Sequence, residues 1–195
     1  MDKRQFLSAV VLGAAAPAFA SAPKTTSSVD GPTLLTVTGA IGHGNRGPLD
    51  PALDQLMKKQ GLKFDKAHAF NFAALTSLPA VTIRPTLEYD AKPHVLAGPL
   101  LVDVIKATGA VTGDKSRLLL RAIDGYGVTV SLTDVQKYRF IVATAIDGKA
   151  IPLGGLGPLW AVYDADHFPD MAVKPVNERF AFCPWGLYHI EVQQG

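Results

Sequence analysis

The second half of this chain is cut by Asp-Gly and Gly-Pro pairs into apolar, β-branched runs that are too short for helices. Residues 118–123 and 128–132 flank Asp124-Gly125-Tyr126-Gly127, a pattern that dictates a tight hairpin because glycine supplies the backbone conformation the turn needs. Further strands are predicted over 140–146, 159–163, 179–182 and 187–192, with Asp147-Gly148 as a second turn. Upstream, 34–41 reads as the first strand, and 80–84 and 86–89 as short strands separated by Pro85. No repeat of fixed period is present.

Helices are predicted to be few and short. Asp50-Pro51 supplies a cap followed by proline at the first helical position, opening an amphipathic helix to about Lys59. Asn71 caps a helix over 72–78 that Pro79 stops. A third helix covers 100–108, with Leu101, Val104, Ile105 and Thr108 on one face and Gly109 behind it. Thr133 and Gln136 have the spacing of a capping box. Strands outnumber helices without regular alternation, so the pattern is α+β and not a doubly wound parallel sheet.

The N-terminus has the three parts of an export signal: basic Lys3 and Arg4, a weakly apolar run from Phe6, and a small-residue cleavage site at Ala18-Phe19-Ala20 or Ala20-Ser21-Ala22. Residues 1–22 are therefore read as a cleaved signal, 23–33 as a disordered polar spacer, and 34–195 as one domain. Periplasmic or secreted localisation follows. Lys3-Arg4-Gln5-Phe6-Leu7 also resembles a degenerate twin-arginine signal, which leaves the export route open. Removal of residues 1–20 lowers the net charge from +2 to +1. A nearly neutral mature chain gives no electrostatic case for a nucleic-acid partner.

Several chemistries lack their residue patterns. Gly42-His43-Gly44-Asn45-Arg46-Gly47 spells GxGxxG, but Pro48 follows and no helix can begin where pyrophosphate would sit, so the motif reads as a glycine-rich surface loop. Its His43, Asn45 and Arg46 would suit an anion. The five histidines lack metal spacing, so no metal site is predicted. No Gly-x-Ser-x-Gly elbow exists. Cys183, the single cysteine, lies in an apolar run between Phe182 and Pro184 and reads as a small buried hydrophobe.

Gly98-Pro99-Leu100-Leu101, Asp124-Gly125-Tyr126 and Gly157-Pro158-Leu159-Trp160-Ala161-Val162-Tyr163, in that order, resemble the molybdopterin-binding domain of sulfite-oxidase-like oxidoreductases in a small exported form. The resemblance covers residues 34–192. It implies a mixed, strand-rich fold with short peripheral helices and a pyranopterin cofactor whose molybdenum is held by one protein thiolate. That cysteine lies upstream of the Gly-Pro motif in the family. The matching stretch here, residues 81–90, offers Thr82, Arg84, Thr86, Glu88 and Asp90 but no cysteine, and Cys183 does not match the position.

A pterin or other polar ligand needs cationic and backbone donors and an aromatic wall. The candidates are Arg84 and His94 near the ligand stretch, Arg121 and Tyr126 near the Asp-Gly turn, and Trp160 and Arg179. Two function classes follow: a binding module that kept the fold and lost the metal, taking a small-molecule ligand or a periplasmic or membrane protein partner, and a molybdopterin-dependent oxidoreductase acting on a small oxidised sulfur or nitrogen compound.

Overall fold

The computed structural model describes residues 31–195. The expected export signal, residues 1–22, and residues 23–30 of the expected spacer lie outside them.

A five-stranded sheet forms the main layer, and its members come from both ends of the described chain. β1 (Thr33–Gly39) runs parallel to β11 (Leu187–Gln193). β2 (His68–Asn71) pairs antiparallel with β1 on one side. On the other, β5 (Arg117–Ala122) and β6 (Gly127–Ser131) extend the sheet antiparallel, giving the order β2-β1-β11-β5-β6. The predicted hairpin between β5 and β6 is present, and Gly125 takes the positive φ of 97° that the turn requires. Strand alternation sends Leu35, Val37, Leu118, Leu120 and Ile190 into the core. Thr36, Thr38, Arg121 and His189 fall on the opposite face.

The second layer is a four-stranded antiparallel sheet of β3 (Ala80–Ile83), β4 (Leu96–Pro99), β8 (Ala145–Ile146) and β9 (Lys149–Ala150), in the order β3-β4-β8-β9. β7 (Ile141–Ala143) pairs with β10 (Trp160–Val162). Gly98 of β4 passes so close to β7 that a Cβ there would stand 1.9 Å from the Val142 carbonyl oxygen. Only glycine permits that approach, which gives the Gly-Pro motif a packing role.

The helices are short and lie around the sheets: α1 (Gln55–Lys59), α2 (Phe72–Thr76), α3 (Leu101–Ala107), α4 (Leu132–Lys137) and α5 (Pro169–Ala172). α3 buries Leu101, Val104 and Ile105 as its spacing predicts, and the Asn71 side chain caps α2 by accepting from the Ala74 N–H. Asp50 accepts from the N–H groups of Ala52 and Leu53, but this caps a separate turn, and the helix starts only after Asp54. At α4 the cap is Ser131 and not Thr133: Ser131 Oγ accepts from the Asp134 N–H and donates to its carboxylate. No helix among the described residues is long and apolar enough to cross a membrane.

Two predicted strands are absent. Residues 86–89 enter a tight turn closed by Leu87 N–H to Lys92 O and Ala91 N–H to Leu87 O. Residues 179–182 also form turns, because Arg179 reaches back to the carbonyls of Ala172 and Lys174, while the Cys183 N–H bonds to Phe180 O.

Candidate functional site

Residues 81–90, where the sequence resemblance places a metal ligand, are fastened by carboxylates. Beyond β3, the Arg84 N–H donates to Asp164 at 3.1 Å and the Thr86 N–H to Asp166 at 2.7 Å. Asp164 precedes the turn Ala165–His167 and follows β10, so this tie joins the four-stranded sheet to the β7–β10 pair. Arg179 donates to the other Asp166 oxygen at 2.6 Å and to the carbonyls of Ala172 and Lys174 at 2.7 and 2.8 Å. The Arg84 and Thr86 backbone donors are thus engaged, and the side chains that engage them are anionic. The hollow beside β3 is about 210 Å³, lined by Thr82, Tyr138, Arg139 and His167 among others, below the range of ordinary ligand pockets.

The six sequence candidates do not converge. Arg84 bonds Asp164 through its backbone N–H, and the Arg179 guanidinium bonds the neighbouring Asp166. Tyr126 and Trp160 both hold the segment 181–183: the Tyr126 hydroxyl donates to Ala181 O at 2.6 Å and the Trp160 indole N–H to Cys183 O at 2.9 Å. Trp160 is 1% exposed and belongs to the core.

His94 and Arg121 belong to two further clusters. His94 lies between Asp147 (2.7 Å) and Asp90 (3.0 Å), which raise its pKa in that order of effect and tie the 87–92 turn to the β8–β9 hairpin. Arg121 Nη1 donates to Glu191 at 3.0 Å and to His189 Nδ1 at 3.1 Å, on the sheet face opposite the core. His189 is buried, and desolvation, followed by the Arg121 charge, lowers its pKa to about 4. With Nδ1 accepting, the neutral ring carries its proton on Nε2 and donates to Thr38 Oγ1 at 3.0 Å.

A larger cavity lies elsewhere, and none of the six lines it. A cleft of about 610 Å³ opens between the β5–β6 end, α4 and α5. Its inner walls are Tyr138, Phe140, Tyr163, Met171 and Phe182; its rim carries Lys115, Arg117, Asp114 and Asp134. The wall aromatics are fixed by their polar ends. The Tyr138 hydroxyl donates to Asp170 at 2.6 Å, an acceptor shared with Lys137 at 2.6 Å. These bonds hold the Asp170 carboxyl below its usual range and raise the Lys137 ammonium. The Tyr163 hydroxyl donates to Arg179 O, and burial raises its pKa. Phe182 is 46% exposed at the mouth, on the segment that Tyr126 and Trp160 hold. Sequence reasoning missed the cleft because its walls come from distant segments and its aromatics read individually as core.

These observations define an α+β, strand-rich fold of the sulfite-oxidase-like kind. Among solved structures the chain is similar to the sulfane dehydrogenase SoxCD from Paracoccus pantotrophus, with a TM-score of 0.52 and 12% sequence identity. The match covers 83% of this chain, which spans 38% of that one. At this identity the likeness concerns the fold. No protein-family model and no curated protein matches the sequence.

The residues do not fit a thiolate-anchored molybdenum pterin. The Cys183 thiol lies in the core, 4% exposed, and burial raises its pKa well above the usual value, which disfavours the ligating thiolate. At residues 81–90, where the sequence resemblance places the metal ligand, there is no thiol, and the adjoining Asp164 and Asp166 are already engaged by backbone N–H groups and, at Asp166, by Arg179. Among the described residues no three His, Cys, Asp or Glu side chains converge as ion donors.

Proposed function

We propose that this protein is an exported, non-catalytic small-molecule-binding module that retains the sulfite-oxidase-like fold. The observation that carries the reading is the 610 Å³ cleft, which has an apolar aromatic interior and a charged rim. That volume and lining suit a drug-sized ligand whose apolar body packs against Phe182 and the edge of Tyr138, with a polar end among Lys115, Arg117 and Asp134. The export signal read in residues 1–22 supports a periplasmic or extracellular location. The likeness to a sulfane dehydrogenase favours a second reading, a molybdopterin-dependent oxidoreductase acting on a small sulfur or nitrogen compound. The donors around residues 81–90 speak against it.

Thermal-shift screening of aromatic and aliphatic carboxylates and amines, followed by calorimetry, tests the first reading. A true ligand at a hundredfold excess over its Kd stabilises the fold by about 2.7 kcal/mol. Phe182→Ala should weaken that ligand by tenfold or more and leave the melting point of the free protein nearly unchanged, since Phe182 is half exposed. Ligands that bind Phe182→Ala as well as the parent, or no ligand at all, would refute the assignment.

A further inference from the structure

A second cavity, of about 390 Å³, lies where α1 and the preceding turn cross the outer face of the five-stranded sheet. Its walls are apolar: Leu34, Leu56, Met57, Ile123, Leu153 and Pro158. Leu153 is 74% exposed at its edge. Thr36 lies on its floor. Strand alternation turns this side chain away from the core, where Leu35 and Val37 point, and toward the groove. Thr36 is 1% exposed, and its Oγ1 has no hydrogen-bond partner in the protein.

Apart from the exposed Thr33 at its edge, the other polar side chains of the groove are engaged with protein groups. Arg46 pairs with Asp54. Gln55 Nε2 donates to the carbonyls of Pro51 and Ala52. The Tyr188 hydroxyl donates to Gln60 Oε1. The groove therefore offers no net charge and one unsatisfied buried hydroxyl, in a protein interior where such groups almost always have partners.

We infer that this groove is a binding site for a neutral, compact apolar molecule with one hydroxyl or carbonyl group, which bonds to Thr36 Oγ1. Charged ligands are disfavoured because both ionic residues of the lining already neutralise each other. The site is separate from the aromatic cleft and shares no lining residue with it.

Two-dimensional amide NMR titration of the purified protein with cyclohexanol, and with methylcyclohexane as its apolar match, tests the site. Cyclohexanol should shift the amides of residues 33–36, 53–57 and 123, and should bind about tenfold more tightly than methylcyclohexane. Thr36→Val keeps the shape and removes the hydroxyl; it should fold and lose that tenfold preference. Thr36→Ser should retain it. Equal binding of both probes, or an undiminished preference in Thr36→Val, as when the hydroxyl serves only an internal water, would overturn the proposal. So would groove shifts that follow protein concentration without probe, which mark self-association.

Discussion

His189 and His94 show how one residue type takes opposite states in one fold. Burial holds His189 neutral, with its pKa lowered to about 4, whereas two carboxylates raise that of His94. The unfolded chain binds a proton on His189 near pH 6.5 that the folded protein refuses until about pH 4. Stability from this group is therefore complete above pH 6.5 and declines as pH falls toward 4, by on the order of 3 kcal/mol. The contribution of His94 has the reverse sense: it is present below pH 6.5 and is lost as pH rises through the raised value. An NMR titration of the ring Cε1 protons should find one histidine neutral down to about pH 4 and another charged beyond pH 6.5. A common midpoint near 6.5 would contradict both placements. Cys183 makes a sharper test of burial. It should resist thiol reagents in the native protein and react on unfolding, and rapid native labelling would remove it from the core.

At the scale of elements, what could be read in the sequence was what local chemistry decides. The Asp124–Gly125 turn, the Asn71 cap and the buried face of α3 each depend on residues within a few positions. Residues 179–182 had the composition of a strand, but the long reach of Arg179 to Ala172 and Lys174 fixes turns there. No local pattern encodes that contact. The α4 cap was misplaced by two residues, because Ser131 and Asp134 form the reciprocal pair that Thr133 and Gln136 mimic in spacing. Ser131→Ala should cost about 1 kcal/mol, measured by urea denaturation, and Thr133→Ala much less. The reverse order would restore the original assignment. Of the candidate site, the missing cysteine was legible directly. The cleft was not, because Lys115, Tyr138, Tyr163 and Phe182 become neighbours only when the sheets close.

Over the whole molecule, the parallel pairing of β1 with β11 brings the two ends of the described chain into the centre of one sheet. The domain thus closes on itself, and β5–β6 projects to form one wall of the aromatic cleft. The same framework in SoxCD sulfane dehydrogenase belongs to a longer chain. Here Arg84 and Thr86 are tied through their backbone N–H groups to Asp164 and Asp166, and the one thiol lies inside the core. The central claim is that this fold binds a small organic ligand without a molybdenum pterin. The most direct test is the molybdenum and pterin content of the protein purified from molybdenum-replete cells. The account predicts folded protein with neither in stoichiometric amount. One molybdenum and one pterin per chain would contradict it.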